Sequence, residues 1–289
     1  MPMGPNKYKE NKVQEFIDEH DHRLRQVIKL AQRDSRGQDE TANKSVALAH
    51  LCLRWSCNAR DVHLLRGLGE RVVQEAAFKH DQAIKVACAA IAGRVIIPDE
   101  GHLHEVQDTE LPRDFNIAYE QICLPFSQGG HGLRAWARYS NAAFAGQWGL
   151  TIQSATNMRT GKSHYPVLQQ VLQEAEQIRK GAPGEGKLVI SLDLANAWLK
   201  CIGQISTLPA KKLREVGAWV AMTEGSILNL RNMPEKGQRE ISQTVTAVHL
   251  KQFASDARDP SKGGDEGRYT NWLAEKGKEA GEAWSIVPW

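Results

Sequence analysis

No stretch of this sequence approaches 18 consecutive apolar residues, so no segment reads as a membrane-spanning helix. Its opening residues, MPMGPNKYKENK, lack the apolar region of a secretory signal. Cysteine is sparse and odd in number: Cys52, Cys57, Cys88, Cys123 and Cys201. Three of these sit in apolar helical patterns, which predicts reduced, buried thiols in an intracellular protein rather than a disulfide framework. Strand-like alternation is rare, and no fixed-period repeat is visible. A strong excess of either charge is also missing. The formal net charge of +3 is too small to establish a nucleic-acid partner by itself.

The usual signatures of chemistry are missing as well. RTGKS at 159–163 resembles the end of a phosphate loop, but the glycine needed five residues before Gly161 is replaced by Thr156, and no buried strand precedes it. QGGHGL is glycine-rich without the spacing or the βαβ context of a dinucleotide site. His50, Cys52, Cys57 and His63 do not follow zinc spacing, and Cys52 shares a helical face with Leu48 and Leu51, which favours packing. HEVQD is not a metalloprotease motif, because position 108 is Asp. There is no G-x-S-x-G element and no Asp-Asp dipeptide. The sequence therefore implies no catalytic residue, metal or cofactor.

What is present is helical periodicity. Phe16, Ile17, Leu24, Val27, Ile28 and Leu30 mark a charged helix over 13–33. Leu48, Leu51, Cys52 and Trp55 repeat at i, i+3, i+4, i+7 and predict the buried face of a helix over 44–59. Asp61 is placed to cap a short helix ending near Leu68. Ile84, Ala87, Cys88 and Ile91 share one face of a helix over 72–91. PDEGHLHEVQDTELPRD, residues 98–114, is a polar connector and the best candidate boundary. Further helices are expected over 166–180, 187–202, 209–222 and 234–257, with a last short one through Trp272. The fold class that follows is all-α: an irregular multi-helix bundle in which a Gly-rich turn links two helical subdomains.

The centre of the chain is Ile122 to Leu150, ICLPFSQGGHGLRAWARYSNAAFAGQWGL. Pro125 cannot donate a backbone hydrogen bond and biases Leu124 toward extended backbone. Gly129, Gly130 and Gly132 permit positive φ and close backbone approach. Leu133, Trp136, Ala137, Ser140, Phe144 and Trp148 then recur at helical spacing as a buried face, with Arg134, Arg138 and Asn141 on another.

Charge is distributed unevenly. Residues 1–94 hold 16 Lys/Arg against 12 Asp/Glu, a net of +4, and the rest hold 21 against 22, a net of −1. Arg54, Arg60, Arg66, Arg71, Lys79, Lys85 and Arg94 form a spaced basic series. Solvated helix faces would produce such a series, and so would a surface that contacts phosphates.

The central stretch resembles a segment that follows the catalytic core of reverse transcriptases from non-LTR retrotransposons. In that family a CLP or QLP element precedes GGLGLR and a helix rich in Ala and Trp. Here the stretch reads CLPFSQGGHGLRAWARYSNAAFAGQW, with His131 where the family has Leu. Upstream, VALAHLCLRWSCNARDVHLLRGLGERVVQEAAFKHDQAIKVACAAIAG looks like the family's thumb, with Leu64-Leu65-Arg66 and His80-Asp81 in corresponding places. Downstream, GQREISQTV and AEKGKEAGEAWSIVPW resemble later elements of the same region. The palm of such an enzyme carries Tyr-x-Asp-Asp, whose carboxylates hold two metal ions, and no Asp-Asp pair exists here.

The resemblance therefore implies a thumb-like region over 1–98, a connector over 99–118 and a post-polymerase linker over 119–289. It implies no palm, and the chain is expected to begin after that domain. Duplex nucleic acid, either RNA–DNA hybrid or DNA, is the implied partner, together with the missing palm. Arg54, Arg60, Arg66 and Lys85 are the candidates for phosphate contact. Gly129, Gly130 and Gly132 would shape the turn that docks the linker, with Trp136 and Trp148 in the core. The near-neutral charge keeps two competing expectations open: a helical interaction module that binds no nucleic acid, or an inactive remnant.

Overall fold

The computed structural model describes residues 6–33, 40–58, 63–67, 69–97, 100–157, 166–215, 225–234 and 236–275. Among the described residues the fold is all-α, with eleven α-helices and no strand. The chain divides into two compact units. One, here the α1 unit, draws on residues 2–62, 75–136 and 249–289; the other, the α7 unit, draws on 63–74 and 137–248. None of the helices is long and apolar enough to cross a membrane, among the described residues.

In the α1 unit, α1 (Asn6–Arg33) packs on α2 (Glu40–Cys52), which runs directly into a π-helical turn, Leu53–Asn58. Phe16, Ile17, Leu24 and Ile28 are buried on α1, as its periodicity predicts. The 22-residue helix α4 (Glu70–Ile91) buries Ile84, Ala87, Cys88 and Ile91, the face read from its spacing.

On α2 the structure corrects the sequence reading. Leu48, Leu51 and Trp55 are exposed, at 48%, 40% and 64%, and the buried positions are Ser45, Ala49, His50, Leu53, Cys57 and Asn58. Small residues at 45 and 49 leave room on the packed side of α2. The π turn accommodates one extra residue per turn, so Leu53, Cys57 and Asn58 all turn inward.

The polar stretch after α4 is pinned to this core. Leu103, Val106 and Leu111 are buried within it. The Leu103 N–H donates to Asp21 Oδ1 at 2.6 Å, and Gln82 Nε2 donates to the Val106 carbonyl at 2.7 Å. Polar composition hides three apolar anchors: Leu103 opens one short 3₁₀ turn, Val106 closes it, and Leu111 closes a second. Next come α5 (Arg113–Ile122) and the Gly-rich turn. Leu124, Phe253 and Trp272 form a smaller cluster with Ile117 and Ala257. Phe253 lies on α10 (Gly237–Asp256) and Trp272 on α11 (Glu266–Glu275).

The α7 unit is built on the pairing of α7 (Pro166–Arg179) with α8 (Val189–Ile205). Proline at the first helical position of α7 costs no hydrogen bond. Val171, Leu172 and Ala175 pack with Leu194, Trp198 and Cys201. Two buried carboxylates on α7 are fully employed. Glu174 Oε2 accepts from the Leu188 N–H at 2.9 Å and from Ser191 Oγ at 2.8 Å, capping the start of α8. Glu176 accepts two hydrogen bonds from Arg179 and one from the Ile227 N–H at 3.0 Å. The helix after Pro209 is described only as α9 (Ala210–Glu215), and RTGKS at 159–163 lies outside the described residues.

Candidate nucleic-acid interface

The Gly-rich turn is folded back on the segment before it. The His131 N–H donates to the Ile122 carbonyl at 3.0 Å, and the Gly132 N–H donates to the Leu124 carbonyl at 2.8 Å. That return brings backbone against backbone. A Cβ at Gly130 would sit 2.1 Å from the Leu124 carbonyl oxygen, so only glycine fits. The three glycines therefore serve two purposes. Gly129 and Gly132 take positive φ, +74° and +70°, whereas Gly130 is required for close approach alone. Leu124 and Leu133 are buried, and Pro125 is half-buried in extended backbone at φ −59°, ψ 153°.

The turn meets the π-helical segment through Arg54. A Cβ at Gly132 would lie 3.2 Å from Arg54 Nε, so the bare glycine leaves room for the guanidinium. Arg54 lies against two rings, 4.1 Å from the Phe126 centroid and 4.7 Å from that of Trp55. Cation–π contacts of this kind contribute about 0.5–2 kcal/mol. Burial, and then the nearby Arg134 guanidinium, lower the Arg54 pKa. Arg134 is exposed. The two cations are thus close enough for like-charge repulsion to be felt at Arg54.

Asn58 sets this geometry. One helical turn beyond Arg54, its Nδ2 donates to the Arg134 carbonyl at 2.8 Å and its Oδ1 accepts from the Arg134 N–H at 2.9 Å. The Asn58 carbonyl in turn accepts from Trp136 Nε1 at 3.1 Å. Trp136 is the first residue of α6 (Trp136–Asn157), and its backbone N–H donates to Asp81 Oδ1 at 2.7 Å. A carboxylate there satisfies one of the unpaired N–H groups of a helix start and complements its dipole. His80 stacks on the Trp136 ring at 3.8 Å, and Phe16 stacks on it at 5.5 Å. His20 stacks on His80 at 4.5 Å. Neither ring nitrogen of His20 has a hydrogen-bond partner among the described residues, and burial lowers its pKa to about 2.

The expected site residues fall into three groups. Arg54, Leu124, Pro125, Gly129, Gly130, Gly132, Leu133 and Trp136 all belong to the α1 unit around this turn. Lys85 also belongs to that unit, but its ammonium is paired with Asp108 Oδ1 at 2.7 Å and its side chain is largely buried. Arg66 and Trp148 lie in the α7 unit. Arg66 is exposed on α3 (His63–Gly67), and Trp148 is half-buried with its ring edge toward Phe144 at 6.4 Å. Arg60 lies outside the described residues.

Three functional candidates escaped the sequence. Trp55 reads as core and is exposed; Arg134 reads as an ordinary solvated helix position; Asn58 gives no signal. The one available cue was proximity: Arg134 lies two residues past Gly132, and Trp55 directly follows Arg54. No family model, curated protein or solved structure matches the chain.

Proposed function

We propose that this chain is a non-catalytic region similar to the thumb and linker of a retrotransposon reverse transcriptase, which holds template–primer duplex through its phosphate backbone. The observation that carries this reading is the Arg54–Arg134 pair. Two like charges brought together repel one another, and a phosphate would relieve that repulsion with charge-assisted hydrogen bonds. Arg54 is also steadied by contact with two rings, so less entropy is lost when it binds. The residues behind the resemblance also support the reading. His80 and Asp81, far from Trp136 in sequence, both contact it, and the Gly-rich turn cradles Arg54.

Backbone gripping needs cations and fixed helix ends, not acid–base pairs. The absence of any Asp-Asp dipeptide agrees with a region that performs no nucleotidyl transfer unaided. A palm domain is the protein partner this reading implies.

The test uses the purified chain with a blunt RNA–DNA hybrid. Fluorescence anisotropy should show binding at low salt with little sequence preference, with Kd of roughly 10⁻⁴ to 10⁻⁶ M near physiological salt. Primer extension with Mg²⁺ or Mn²⁺ should give no incorporation. Failure to bind at low salt, or template-dependent extension, would overturn the reading. A second reading, a helical interaction module, is favoured by the exposed Leu48 and Leu51 on α2. It predicts no hybrid binding at any salt.

A further inference from the structure

Trp55 is the most exposed aromatic side chain of the α1 unit whose ring is engaged by a cation. Its indole meets the Arg54 guanidinium at 4.7 Å, and the same guanidinium meets the Phe126 ring at 4.1 Å. One cation thus contacts two aromatic rings, and one of them belongs to a tryptophan that is 64% exposed. Such an arrangement has more than a backbone contact needs. A phosphate requires the cations; the rings help it only by steadying Arg54, and an exposed indole surface adds nothing to that contact. A nucleobase gains directly, because every base has a π-face that stacks on an aromatic side chain.

Bases inside a duplex are already stacked and cannot use a lone surface indole. An unpaired base can. We infer that Trp55 is a stacking platform for one unpaired nucleobase at the end of a duplex, with Arg54 and Arg134 taking the flanking phosphates. This rests on the backbone-binding reading and adds to it the state of the nucleic acid, a junction between double and single strand rather than an uninterrupted helix. Charge supports that occupant over an apolar protein segment. The ring lies against the Arg54 guanidinium, which is itself near the Arg134 guanidinium, and such cations favour a polyanion. No feature of the platform reads base edges, so the base is accepted without regard to its identity.

The experiment compares two RNA–DNA hybrids with the full chain, one blunt and one bearing a short single-stranded extension. The measurement is anisotropy at fixed low salt. The extended hybrid should bind about tenfold more tightly, within the lower part of the range for one base stacked on an aromatic side chain. An extension made of abasic sites should lose that gain while keeping its phosphates. Trp55→Ala should bind the extended and abasic hybrids alike, and Trp55→Phe should retain part of the gain. Because the side chain is mostly exposed, both variants should keep wild-type helicity by circular dichroism. Equal binding of the base-bearing and abasic extensions by the wild-type chain overturns the platform and leaves the backbone reading standing. A full tenfold gain in Trp55→Ala also overturns the platform. Absence of binding to every hybrid overturns both.

Discussion

Asn58 holds Arg134 by both of its backbone polar groups, donating to the carbonyl at 2.8 Å and accepting from the N–H at 2.9 Å. The two residues are 76 apart in sequence, and the clasp is what sets Arg134 beside Arg54. Asn58→Ala would strand both groups in a part-buried setting. The expected loss of stability is about 2–3 kcal/mol by urea denaturation. A loss under about 0.5 kcal/mol, the size of an ordinary surface change, would show that the clasp is replaceable.

Gly130 and Gly132 should fail for different reasons when substituted. Gly130→Ala drives a Cβ into the Leu124 carbonyl, which belongs to the same folded-back turn and cannot retreat without breaking it. Folding should be severely impaired. Gly132→Ala meets a positive φ and the flexible end of Arg54, so a cost of about 1–3 kcal/mol is expected. Gly186→Ala shares the positive φ but meets open space, so it isolates the conformational cost. Thermal melts that placed all three at the same midpoint would refute this division of roles.

Acid should unfold the protein earlier than its carboxylates alone would cause. Burial lowers the pKa of His20 to about 2 and of His50 to about 4; burial and then His50 lower His131 to about 4. These groups are neutral when folded and take up protons near pH 6.5 when unfolded. Their stabilising effect is complete above pH 6.5 and declines as pH falls. The decline stops near pH 4 for His50 and His131 and continues toward pH 2 for His20. Each contributes about 1.4 kcal/mol per pH unit in its window. Urea midpoints should therefore drop steeply between pH 6.5 and 5. A flat profile across that interval would contradict the burial of these rings.

How much of this was legible in the sequence depends on distance along the chain. The inward faces of α1, α4 and α7 follow from apolar periodicity, because the positions that repeat at helical spacing there, such as Leu24 and Ile28, Ile84 and Ile91, and Val171 and Leu172, do face the core. The same rule misassigns α2. Leu48, Leu51 and Trp55 satisfy the template, but the packed side uses Ser45 and Ala49, and the π turn rotates Leu53 and Asn58 inward. The Gly-rich turn was visible as a demand for glycine, yet periodicity cannot separate the two demands, a left-handed backbone at Gly132 and an adjacent carbonyl at Gly130. The Arg54–Arg134 pair could not be read at all, since the clasp that creates it joins positions 58 and 134.

Lys85 offers a sharp contrast with Arg54. Both are cations on helices of the α1 unit, but Lys85 is already neutralised by Asp108 at 2.7 Å. Lys85→Met, which keeps the buried stem, should leave the salt dependence of hybrid binding unchanged. A log–log slope smaller by about 0.9 would mean that Lys85 leaves Asp108 for a phosphate.

The central claim is that Arg54 and Arg134 together contact phosphate, and a salt titration of hybrid binding tests it most directly. Anisotropy on a blunt RNA–DNA hybrid would be followed from about 50 to 200 mM salt for the wild-type chain and for the Arg54→Ala, Arg134→Ala double variant. Each phosphate contact contributes about 0.9 to the slope of log K against log salt, so the double variant should be shallower by about two. Helicity should be retained, because Arg134 is exposed and Arg54 is stacked rather than hydrogen-bonded into the core. An unchanged slope in a folded double variant, or no binding by the wild-type chain at the lowest salt, would contradict it.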